Sequence, residues 1–75
     1  MSVQVFALYI IWQLIFDDFD NYPYPVLLNR KTGEIETISG IIVKDAFAFY
    51  KKWFEKNKKN LQNKKPFDNT YIKWW

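Results

Sequence analysis

Residues 3–16 read VQVFALYIIWQLIF, and the conformation of this run decides the fold. Gln4 and Gln13 are its polar members; it carries no charge. Two signals compete within it. Val3, Val5, Phe6, Tyr9, Ile10, Ile11, Trp12, Ile15 and Phe16 are β-branched or aromatic, which favours a strand. The length of the run favours a helix, although Asp17 and Asp18 would then stand at its negative C-terminal end. As a strand it would line one face with Phe6, Leu8, Ile10, Trp12, Leu14 and Phe16. The sequence leaves both conformations open, and both require apolar cover on two sides. The run falls short of the roughly 20 residues that a membrane-spanning helix needs. No basic segment precedes it and no small-residue cleavage site follows, so a secretory signal is not expected.

The following residues, DDFDNYPYP at 17–25, break the pattern with acids, Asn and two prolines, and read as a loop extended before each proline. The stretch VLLNRKTGEIETI at 26–38 reads as a β-hairpin. Asn29, Arg30, Lys31 and Thr32 lead into Gly33, which suits a left-handed turn residue with a bulge. Ile35 and Ile38 alternate around Glu36 and Thr37 in the second arm. Ile41–Val43 reads as an apolar connector or strand end.

A helix is expected over 44–60. At about 100° per residue, Ala46, Phe47, Phe49, Tyr50, Trp53, Phe54 and Leu61 share one side, as core. Lys51, Lys52, Lys56, Lys58 and Lys59 fill the other, and Asp45 near its start complements the helix dipole. Pro66 forbids continuation. In the tail, Ile72 and Trp74 alternate with Tyr71, Lys73 and Trp75, consistent with a last strand. The fold class is therefore α+β, one small domain spanning 1–75: an N-terminal apolar strand or helix, a hairpin, one long amphipathic helix and a C-terminal strand.

Composition narrows the chemistry. The 75 residues include no cysteine and no histidine. Disulfides, thiolate-bound metals, catalytic triads and Cys–His dyads are thereby excluded, and a Ser–Lys dyad lacks a lysine patterned for burial. The reading implies no enzyme, no cofactor and no metal site. Seven Phe, four Trp and five Tyr would bury on the order of 3,000 Å² if all were interior. A domain of this size buries only about 60% of its unfolded surface, so part of this aromatic surface must meet solvent, a partner or a ligand.

Charge is uneven. Residues 1–29 hold Asp17, Asp18 and Asp20 without a base, whereas residues 44–75 set nine lysines against Asp45, Glu55 and Asp68. The expected function is a non-enzymatic protein-binding module in the cytoplasm, engaging a host protein or itself, with a homo-oligomer expected. The contact residues expected are Tyr22, Tyr24, Trp74 and Trp75, with Asp17, Asp18 and Asp20 as an acidic patch for a basic partner. Trp74 and Trp75 fit either a docked strand end or interface anchors. The bias toward residues of AT-rich codons, with ten lysines to one arginine, suits a phage or plasmid protein that inhibits a host protein. The alternative is single-stranded nucleic-acid binding by Lys51, Lys52, Lys56, Lys58 and Lys59, extended by Lys64 and Lys65, with aromatics to stack on bases. A basic amphipathic helix also suits a membrane surface, but the hairpin and tail offer its apolar face something to pack on, so membrane binding is not expected.

Overall fold

The computed structural model describes residues 3–35 and 40–75. The elements are α1 (Val3–Phe16), β1 (Leu27–Asn29), β2 (Glu34–Ile35), α2 (Gly40–Lys56) and β3 (Ile72–Trp74). The three strands form an antiparallel sheet in the order β2-β1-β3. The architecture is α+β, as composition and pattern imply.

The apolar run at 3–16 is a helix. Its C-terminal conflict is resolved locally: Asp17 takes a left-handed φ of 48°, ending the helix, while the Asp17 N–H still donates to the Gln13 carbonyl. The Gln13 side chain then accepts from the Asp18 N–H at 2.6 Å and donates to the Tyr22 carbonyl at 3.1 Å. This explains why a glutamine is tolerated in the buried face of α1. Val5, Leu8, Tyr9, Trp12 and Gln13 point inward.

The hairpin turns as its glycine requires. Gly33 has φ 73°, its N–H donates to the Asn29 carbonyl, and the Asn29 side chain accepts from the Lys31 N–H at 2.9 Å. The alternation expected through Glu36, Thr37 and Ile38 lies outside the described residues. β3 pairs with β1 in the register Leu27↔Trp74 and Asn29↔Ile72. Leu27, Ile72 and Trp74 face the core, and Lys73 the other side, as the alternation in the tail implies.

α2 differs from expectation at both ends. It starts at Gly40 rather than 44, because Ile42 packs into the core and draws the Ile41–Val43 connector into the first turn. It stops at Lys56 rather than 60. Asn57 caps the end through its backbone and side-chain N–H groups on the Trp53 carbonyl, and single turns at Asn60 and Asn63 follow. Phe47 and Phe54, expected as core, stand about half exposed at the edge of the buried arc; Ala46, Tyr50 and Trp53 occupy its centre.

The core is a web of rings. Trp74 meets Tyr9 at 5.3 Å and Phe67 at 5.5 Å between centroids, and Trp12 meets Phe67 at 5.5 Å. Edge-to-face and tilted pairs of this kind add to the area they bury. Trp53 Nε1 donates to the Lys64 carbonyl, holding the 64–70 segment against α2.

Candidate functional site

Two surfaces stand apart from this core. The first is the outward side of α1. Val3 and Leu14 are 84% and 81% exposed, and Phe6 and Ile11 are 45% and 40% exposed. With the exposed Ala7 they fall within an arc of about 140° on the helix, while Ile10, inside the same arc, packs against the core cluster. Val3, Ala7 and Leu14 keep the four- and seven-residue spacing of a helix-pairing face. Among the described residues, the cover that residues 3–16 require on two sides is thus supplied on one.

The expected contact residues are divided by the fold. Trp74 is fully buried, the docked strand end of the two roles open to it, and Tyr22 packs against the core cluster. Tyr24 and Trp75 are about half exposed and stack on each other, with centroids 5.9 Å apart and planes at 29°. Asp17 and Asp20 are exposed, whereas Asp18 is buried.

Asp18 is held by the structure rather than offered by it. Its carboxylate accepts from Trp12 Nε1 at 3.1 Å, from Asn21 Nδ2 at 2.9 Å and from Lys65 Nζ at 3.1 Å. Burial alone would raise its pKa. The hydrogen bonds from Asn21, Trp12 and Lys65, with the lysine charge, outweigh that effect and hold it below its ordinary 3.8. Lys65 also lies 5.8 Å above the Trp12 ring and 5.6 Å from that of Phe16. This lysine is therefore partly structural.

The second surface is a chain of four open hollows of about 310 to 470 Å³ that share lining residues. The first, on the outer face of the sheet, is bordered by Arg30 and Lys73. Arg30 continues into the second, with Lys31, Phe49 and Tyr71. Phe49, Asn69 and Thr70 lead on to the third, between α2 and the 64–70 segment, where Lys52, Lys56, Lys64 and Lys65 stand. Lys56 and Asn57 open into the last, with Lys58 and Lys59. Of the five lysines expected to bind nucleic acid, four lie along this track. Lys51 lines none of the four hollows.

The pattern reading missed Arg30, Lys31 and Lys73 as members of this surface, since nothing local in the sequence says that the hairpin and β3 lie beside α2. It likewise missed Val3, Phe6 and Leu14 as an outward face. Among the described residues, no cluster of three acidic side chains stands where a metal could bind, and no helix is long and apolar enough to cross a membrane. Comparison with protein families, curated proteins and solved structures finds no match for this chain.

Proposed function

We propose that this chain is a non-enzymatic protein-binding module that self-associates through the outward face of α1. The observation that carries this reading is the uncovered apolar stripe of a helix with no charged residue on any side. Val3, Phe6, Ile11 and Leu14 leave on the order of 450 Å² of apolar surface in solvent, the size of patch that marks an interaction site on a small monomer. Two copies pairing this face about a two-fold axis would bury about 900 Å² of it, close to the roughly 1,000 Å² that marks off weak specific interfaces from incidental contacts. The stripe meets a copy of itself without charge repulsion, which suits an isologous contact. The inhibitory role expected of a phage or plasmid protein would use the same face, with an apolar helix of a host protein in place of the second copy.

Light scattering over a dilution series tests this. The wild type should show a dimer mass that falls on dilution, and Leu14→Lys should be monomeric at every concentration while retaining its helical circular dichroism. A wild type that stays monomeric up to about 1 mM overturns self-association, since a Kd weaker than this corresponds to less than about 4.1 kcal/mol of binding free energy.

A further inference from the structure

We propose that the chain of hollows is a binding groove for single-stranded nucleic acid, a function separate from the α1 face and independent of it. Nine of the eleven basic residues line this one track, Lys65 with its ammonium on Asp18, against Glu55 and Asp68 among the seven acids described. Lys44 and Lys51 line none of it. So strong a sorting of charge onto one concave path produces the potential that draws a phosphate backbone.

The path runs over parts of the chain that are distant in sequence: the β1–β2 turn, α2 with the turns that follow it to Asn63, and the segment from Lys64 to Lys73. It is therefore a product of the tertiary fold and not of one amphipathic helix. Its concavity favours a flexible strand over a membrane, which would meet a convex or flat basic surface. Aromatic and amide side chains alternate with the lysines along it. Phe49 lines two of the hollows and is half-buried, with the Tyr71 ring edge-on at 6.0 Å. Lys31 lies 5.8 Å over the Tyr71 ring, whose hydroxyl donates to Asp45, so Tyr71 anchors a cation in the wall of the groove. Asn69 supplies a hydrogen-bonding side chain in the same wall, where the Asn57 amide is held on the Trp53 carbonyl and the Thr70 hydroxyl on the Phe67 carbonyl. Lysines for phosphates and rings for bases are the combination used for sequence-tolerant single-strand binding. With a single arginine in the chain, bidentate reading of guanine is confined to Arg30, so binding should be weakly selective for sequence.

Fluorescence anisotropy with a labelled oligothymidylate of about twelve nucleotides tests the proposal, since single-strand sites span lengths of this order. Affinity should fall with salt, with a log–log slope of about −0.7 per phosphate contacted. Lys52→Glu, Lys56→Glu and Lys64→Glu should each weaken binding at least fivefold. Lys51→Glu, an identical change of charge one residue away from Lys52, should weaken it less than twofold. An abasic oligonucleotide of equal length should bind at least tenfold more weakly. No binding at about 20 mM salt overturns the proposal. So does an equal loss with Lys51→Glu, which would reduce the effect to net charge. Equal or tighter binding of the abasic strand, of poly-glutamate or of phosphatidylserine vesicles overturns it as well.

Discussion

The Tyr50 hydroxyl donates to the backbone carbonyl of Leu8 at 2.7 Å, joining the two helices across 42 positions of sequence. Leu8 lies in the middle of α1, where its carbonyl already serves the helix, so the tyrosine takes the second lone pair. The same hydroxyl stands close enough to the Trp74 indole to influence it, yet among the described residues Trp74 Nε1 closes no hydrogen bond. One phenol thereby fixes the spacing of α1 and α2 at the centre of the core.

Burial pushes the Tyr50 phenol well above its ordinary 10.0, with the Trp74 contact opposing the shift only in small part. The native state therefore keeps the Tyr50 proton while the unfolded chain releases it above pH 10. This contribution is complete below pH 10 and is lost as pH rises beyond it, by up to about 1.4 kcal/mol per pH unit. Urea unfolding between pH 8 and 11 should show this decline. Tyr50→Phe should lose about 1 kcal/mol at pH 7 and should flatten the alkaline limb by one proton. An unchanged slope in the variant would mean that Tyr50 ionises as freely in the fold as outside it.

Asp18 governs the acid side. Its folded pKa lies below 3.8, so its contribution is complete above that value and is lost as pH falls below it. Asp18→Asn should cost roughly 1.5–3 kcal/mol at pH 7, the scale of hydrogen bonds to a charged group. The variant should also unfold in acid with a shallower pH dependence than the wild type.

Facing of α1 is measured by two leucines. Leu8→Ala, in the core, should destabilise by about 2–5 kcal/mol. Leu14→Ala, on the outward side, should stay within about 0.5 kcal/mol in dilute solution. The reverse order in thermal unfolding would place the helix the other way round.

The adjacent tryptophans give the sharpest contrast. Trp74→Ala should cost about 3–5 kcal/mol, most of the stability expected of a chain this size. Trp75→Ala should cost below about 1 kcal/mol, since it removes a half-exposed ring stacked on Tyr24.

Gly33→Ala meets no steric obstacle, because a Cβ there would have nothing within 4 Å. The left-handed φ of 73° alone should cost about 1–2 kcal/mol. Chemical denaturation reads this directly.

The hairpin turn, the buried face of α2 and the inward alternation of Ile72 and Trp74 were legible because each rests on a local pattern. The run at 3–16 was not. A segment that is apolar on every side has no periodicity to display, and the helix was decided by what its inner face meets, in Leu27, Phe67 and Trp74. Asp18 read as one of three acids in a patch for a basic partner because its cation, Lys65, lies 47 positions away. The lysine side of α2 was visible, but the division between Lys51 and Lys52 was not, since it arises from the 64–70 segment lying against one flank of the helix. Phe47 and Phe54 show the reverse error: a helical wheel marks the edges of an apolar arc as core, and the actual neighbours cover only its centre.

The four tryptophans occupy separate environments, and this has an optical consequence. Trp12 and Trp74 are sealed among other rings, Trp53 borders the lysine track from within, and Trp75 meets solvent. Their ultraviolet emission is thereby sorted by place. A water-soluble quencher should reach Trp75 first, a ligand in the track should alter Trp53, and a red shift of Trp12 and Trp74 should follow only when the core opens. The molecule needs no attached dye to distinguish these three events.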